Sequence, residues 1–181
     1  MQTTSQQYDA VVAKCKDIFL KKNGDYGTSW RMLRPSSITD QIFIKANRIR
    51  GIETKGKHLI DEGIEPEFLG IVNYGIMAII QVRANENDSL ELSAAEAEKR
   101  YNETIAEIKA LMELKNHDYG EAWRDMRVSS FTDMILVRIL RIKQIENNAG
   151  LTLVSEGVES NYMDLVNYAI FALIQIEEQR A

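Results

Sequence analysis

Asp164 has a residue type and a setting that could do chemistry. It falls in the run Glu159-Ser160-Asn161-Tyr162-Met163-Asp164-Leu165-Val166-Asn167-Tyr168. Ser160, Asp164 and Asn167 stand at i, i+4 and i+7, so on a helix they share one face. A carboxylate on an otherwise apolar helix needs a cation, because an unpaired buried charge is costly. Facing helices of bundles are where carboxylate metal sites are built. Mg²⁺ in such sites often joins one or two carboxylates to substrate phosphates. Arg138 and Arg141, on the preceding helical segment, suit either of two roles: partners of Asp164 or clamps on phosphate. An Asp–Arg pair that only glues two helices together fits the same residues.

A second stretch, Lys115-Asn116-His117-Asp118-Tyr119-Gly120-Glu121-Ala122-Trp123-Arg124, occurs twice. Its first copy is Lys22-Asn23-Gly24-Asp25-Tyr26-Gly27-Thr28-Ser29-Trp30-Arg31, 93 residues earlier. From Lys22 to Glu53, 17 of 32 positions equal their partners in Lys115 to Glu146. After one inserted residue, Glu62 to Gln81 equals Glu156 to Gln175 at 10 of 20 positions. This is a duplicated domain, and the duplication organises the whole chain. The first copy keeps Glu65 and Asn73 but has Gly70 in place of Asp164, so it lacks one candidate ligand. Tyr26, Tyr119, Trp30 and Trp123 are able to stack on a nucleobase, or to pack in a core. Asp25 and Asp118 precede a Tyr-Gly pair, where an aspartate shapes a turn without any chemistry. His117 aligns with Gly24, and His58 lies among lysines without a visible partner. No Cys/His cluster suggests zinc, and there is neither a phosphate-binding glycine loop nor a nucleophile elbow.

The elements that must position these groups read as helices. Tyr8, Val12, Cys15 and Phe19 form an apolar stripe on a first helix over about Thr4–Lys22. Gly24 and Gly27 break it, leaving Asp25-Tyr26-Gly27 as a loop. Ser36 and Ser37, with Asp40 three residues on, predict the cap of a second helix. Its stripe, Ile38, Ile42, Lys45, Ile49, Ile52, has a cation in the middle. The second copy repeats this as Phe131, Ile135, Arg138, Ile142, Ile145, with Arg48 and Arg141 one turn beyond the central cations. Thr54 to Gly63 reads as a loop. The helix predicted over Glu65–Arg83 is apolar nearly all round, the pattern of a fully surrounded helix. Asn85 to Leu92 is a polar linker, and Ser93 with Glu96 predicts the next cap. Tyr101, Ile105, Ile108 and Met112 mark the fourth helix, Phe131–Asn147 the fifth, and Glu159 to about Glu178 the sixth.

The expected architecture is therefore all-α: tandem three-helix repeats packed as a helical bundle with internal pseudo-twofold symmetry. The repeats span residues 4–84 and 93–179, with a linker over 85–92. Each repeat, at about 80 residues, is marginal as a lone core, which favours packing of one on the other. The net charge of −5 gives no reason to expect nucleic acid or membrane surface as a partner. The longest apolar stretch, Ile76–Ile80, is too short to span a bilayer. One cysteine, Cys15, excludes an intrachain disulfide framework and is compatible with a reducing cytoplasm. The polar N-terminus lacks a signal-peptide apolar run.

Lys-Asn-x-Asp-Tyr-Gly-x-x-Trp, then a helix with Lys or Arg followed three residues later by Arg, then Glu-Ser ending in Asp-Leu-x-Asn-Tyr, resembles the nucleotide-modification-associated domain, a bacterial and phage family of unknown function. The three-helix core with acidic residues is in turn similar to the all-α nucleotide pyrophosphohydrolases of the MazG and dimeric dUTPase type. That second resemblance implies Mg²⁺ (or Mn²⁺) held by paired acidic motifs, and a nucleoside triphosphate split into monophosphate and pyrophosphate. The acidic pairs are incomplete here: the fifth helix has Asp133 alone, and Asp164-x-x-Asn167 only approximates the second motif. Carried over, the resemblance points to Glu159 and Asp164 as metal ligands, with Asp118 beside them as a catalytic candidate. Lys115, Arg138 and Arg141 would hold phosphates, Tyr119 or Trp123 the base, with Asn167 completing the site. The first-copy matches are Lys22, Asp25, Tyr26, Lys45, Arg48, Glu65 and Asn73. The alternative is a non-catalytic nucleotide sensor or a helical protein-interaction module. Further association into a homo-oligomer is left open.

Overall fold

The computed structural model describes residues 2–55 and 63–181. Helices α1 (Thr4–Tyr26), α2 (Pro35–Lys55) and α3 (Glu65–Arg83) come from the first repeat. Helices α4 (Ala94–Tyr119), α5 (Val128–Asn147) and α6 (Val158–Arg180) come from the second. A short 3₁₀ turn follows α1 at Ser29–Met32, and another follows α4 at Ala122–Asp125. The described residues contain no strand, and none of their helices is long and apolar enough to cross a membrane. The fold is an all-α bundle, as the periodicity predicts. His58 and most of the expected Thr54–Gly63 loop lie outside the described residues; Thr54 and Lys55 belong to the end of α2.

Several helix boundaries differ from expectation, two of them for a local reason. Gly24 does not end α1. Nothing lies within 4 Å of where its Cβ would be, so this exposed glycine costs only propensity, about 1 kcal/mol. The helix continues through the Asp-Tyr pair to Gly27, whose φ of +61° disfavours any side chain. In α4 the same place is taken by Gly120 at φ +60°. The motif Asp-Tyr is thus the last helical turn, not a loop. Ser36 and Ser37 do not cap α2 either, because the helix already starts at Pro35. Proline suits a first helical position, where its missing N–H has no intrahelical acceptor. Ser93 does cap α4, accepting from the Glu96 backbone N–H at 3.1 Å.

Helices α3 and α6 form the centre. They pack on each other, and each also touches α1 and α4; α2 covers α3 and α5 covers α6. A Cβ on Gly75 would lie 2.4 Å from Val166 Cγ2 on the facing helix, so any larger residue there forces a shift. Polar contacts cross the repeat boundary in reciprocal pairs. Tyr8 donates to Asn167 Oδ1 at 2.8 Å, and Tyr101 donates to Asn73 Oδ1 at 2.8 Å. Thr39 donates to Glu146 at 2.9 Å, and Thr132 to Glu53 at 2.8 Å. The linker is fastened to the first repeat through Arg31, which is 4% exposed and donates to the Ser89 carbonyl at 3.0 Å. Thr28 adds a bond from its hydroxyl to the Leu90 carbonyl at 3.1 Å.

Candidate functional site

In each repeat the Lys-Asn-x-Asp-Tyr-Gly motif closes the first helix, and the following 3₁₀ turn carries the tryptophan over the bundle. A glutamine near the end of the third helix pins this turn. Gln81 Nε2 donates to the Arg31 and Leu33 carbonyls at 2.8 and 2.7 Å. Gln175 Nε2 donates to the Trp123 and Met126 carbonyls at 3.1 and 2.9 Å. The motif lysine and the central cation of the second helix line one cavity in the first repeat and meet one carboxylate in the second.

The second cleft is held by its own carboxylate. Asp164 is 5% exposed. Its Oδ1 takes Lys115 Nζ at 2.6 Å and its Oδ2 takes Arg138 at 3.2 Å. Arg138 also donates to Asn161 Oδ1 at 3.3 Å, while its buried Nε has no hydrogen-bond partner among the described residues. Trp123 lies parallel to Phe171 with ring centroids 4.3 Å apart, and the Arg124 guanidinium lies 4.4 Å from the Trp123 ring centroid. Trp123, expected to stack on a base, is 6% exposed and packs on Phe171.

The first cleft is open. Position 70 aligns with 164, and Gly70 contributes no side chain; a Cβ there would meet Lys45 Cε at 2.8 Å and Nζ at 3.1 Å. Met77 stands where the second repeat has Phe171. A cavity of about 710 Å³ results, a size that suits a small organic ligand. Its walls are Phe19, Tyr26, Trp30, Leu33, Leu69, Tyr74 and Met77, with Lys22, Asn23, Lys45 and Asn73 as the principal polar groups. Trp30 is held by its Nε1 to Asn23 Oδ1 at 3.3 Å and packs on Phe19. Tyr26 is 71% exposed at the rim. Lys45 reaches Glu67 at 3.4 Å and lies 5.8 Å from the Tyr74 ring centroid. Lys22 has no ion pair among the described residues.

Glu67 is the residue that sequence reasoning passed over. It aligns with Asn161, one turn before Gly70, and is 7% exposed. It pairs with Lys45 and with Arg48, the latter at 2.5 Å. The acid that balances the central cation has moved back by three residues from one repeat to the other. The signal was an acidic residue at position 67 of a helix otherwise apolar toward the core. Gln81 and Gln175 were also passed over, although both lie at matched positions of the repeat.

The remaining expected site residues are dispersed. Glu159 and Asp164, five residues apart, point about 140° apart around a helix. Glu159 accepts from Arg83 Nε at 2.9 Å. Arg83 also reaches Glu107, and the two hydrogen-bonded carboxylates, Glu107 first and then Glu159, push its pKa up. Glu65 pairs with Arg180. Asp118 is exposed, and its one hydrogen-bond partner among the described residues is His117, at 3.3 Å. Tyr119 is 74% exposed, Asp25 is exposed, and Arg141 is exposed on α5. Asn167 and Asn73 are occupied as ties between helices: besides their tyrosines they donate to the Ile108 and Cys15 carbonyls at 3.2 and 2.9 Å. These donors do not fit a Mg²⁺ centre. Both Asp164 oxygens face cations, Glu159 belongs to another cluster, and the described residues hold no group of three or more potential metal-ligating His, Cys, Asp or Glu side chains.

No curated protein and no solved structure matches the chain. The family described as nucleotide modification associated domain 1 does match, over residues 22–82 and again over 115–176. Those two segments cover more than half of the chain and run from the motif lysine of each repeat to the third helix. The chain belongs to the nucleotide modification associated domain 1 family, as a tandem duplicate.

Proposed function

We propose that the chain binds a nucleotide, or a nucleotide-like phosphate ester, in the cleft of the first repeat. The observation that carries this reading is the cavity at Gly70, which combines an aromatic wall with two lysines. Tyr26 and Trp30 offer surfaces for a planar base, and base–aromatic stacking contributes about 1–3 kcal/mol per base. Lys22 and Lys45 supply donors for phosphate oxygens, where a charge-assisted bond is roughly twice as strong as a neutral one. The family's description, with its reference to nucleotide modification, supports the ligand class. Binding needs no metal in this reading, and the carboxylates expected to hold one are engaged with arginine and lysine.

The test is a panel of unmodified and modified nucleoside mono-, di- and triphosphates, read by thermal shift and by chromatography of the products. At least one member raises the melting temperature of the wild-type protein, because a ligand that binds only the folded state stabilises it by mass action. Lys22→Ala weakens that binding by about tenfold, which corresponds to about 1.4 kcal/mol. The nucleotide comes back unhydrolysed. A panel in which nothing binds contradicts the reading and leaves a helical interaction module in its place. Release of pyrophosphate would instead restore the hydrolase expectation.

A further inference from the structure

The repeats differ at one place that identifies the anion subsite. In the second cleft, Lys115 and Arg138 converge on the Asp164 carboxylate at 2.6 and 3.2 Å. In the first, their counterparts are Lys22 and Lys45, and Gly70 removes the carboxylate. Glu67 offsets the charge of Lys45, which it meets at 3.4 Å. Lys22 has no ion pair among the described residues, so it brings to the cavity a positive charge that no described carboxylate offsets. We propose that the anionic group of the ligand sits between Lys22 and Lys45, taking the electrostatic role that Asp164 has in the second repeat. Asp164 is then a tethered occupant that closes the second cleft, and the chain has one ligand site rather than two.

The proposal rests on the binding reading for its ligand class, and it makes a separate claim about where the anion goes. A carboxylate and a phosphate both accept charge-assisted bonds from lysine and arginine. An intramolecular carboxylate competes at an effective concentration that reaches millimolar or more, enough to exclude a weakly bound anion. The second site is therefore built but self-occupied.

Inorganic pyrophosphate is the probe, because it lacks a base and reports the anion subsite alone. Titrated into ¹⁵N-labelled protein, it shifts the backbone amide of Gly70 and leaves that of Asp164 in place. Gly70→Asp, whose carboxylate would meet the flexible end of Lys45, abolishes the response at position 70. Asp164→Gly adds a second responsive set around Lys115 and Arg138, and the stoichiometry rises from one to two. Because that variant also unpairs two cations, Gly70→Asp provides the independent arm should Asp164→Gly fold poorly. The proposal is overturned if pyrophosphate perturbs neither cleft, or if the Gly70→Asp protein responds like wild type. It is equally overturned if folded Asp164→Gly gains no second site. Pyrophosphate binding at Gly70 with no nucleotide binding would retain the subsite and contradict only the base recognition.

Discussion

Position 70 and its counterpart 164 decide what the two clefts can do. With aspartate, a buried carboxylate ties Lys115 on α4 to Arg138 on α5. With glycine, the end of Lys45 lies against the backbone at 70 and the balancing acid is Glu67, a turn earlier. Asp164→Ala should destabilise the fold by about 3 kcal/mol, since breaking a buried pair strands the remaining charge; urea denaturation measures it. The two buried tyrosines carry a related prediction. Tyr8→Phe leaves Asn167 Oδ1 without its donor and should cost about 1–3 kcal/mol. Tyr101→Phe should cost a similar amount through Asn73. Burial also pushes the Cys15 thiol up to about 12, so almost no thiolate forms at neutral pH. Cys15 should resist maleimide in the native state and react fully in denaturant. At this scale the sequence made Asp164 and its cationic partners legible, through a lone acid and a central arginine at helical spacing. Glu67 was hidden because its role depends on Gly70 being empty, which is a matter of packing.

Helix identity followed from apolar period, and all six helices lie where that period places them. Boundaries were harder. Two glycines flank the Asp-Tyr pair, and only the three-dimensional chain shows that Gly27 and Gly120, not Gly24, adopt positive φ. Pro35 competes with Ser36 and Ser37 for the start of α2, and the proline prevails. The contact between α3 and α6 adds a constraint no periodicity carries. Gly75→Ala places a methyl against the β-branched Val166, which cannot rotate far to give way. Overpacking of this kind costs about 1–3 kcal/mol, so the variant should melt well below wild type, although alanine favours a helix more than glycine does. A variant as stable as wild type would mean that α3 and α6 are able to separate at that crossing.

Across the whole molecule, two similar repeats have become one bundle with unlike clefts. The reciprocal Tyr–Asn and Thr–Glu contacts bind them, so neither repeat retains its polar partners alone. The duplication and the central place of α3 and α6 were legible in the matched residues and the all-round apolar pattern. Which cleft stays open was not. The richer set of acids in the second repeat suggested a site there, and two of them, Asp164 and Glu159, are engaged with lysine and arginine. Openness depends on Gly70, which the aligned repeats already show, and on the Trp123–Phe171 stack, which is not visible before the helices are packed. The most direct test of the account is isothermal titration calorimetry of the wild-type and Gly70→Asp proteins with the best-binding nucleotide of the panel. The account predicts one site per chain in the wild type and none in Gly70→Asp, with the variant's fold confirmed by its melting. Two sites in the wild type, or unchanged binding in the variant, would contradict it.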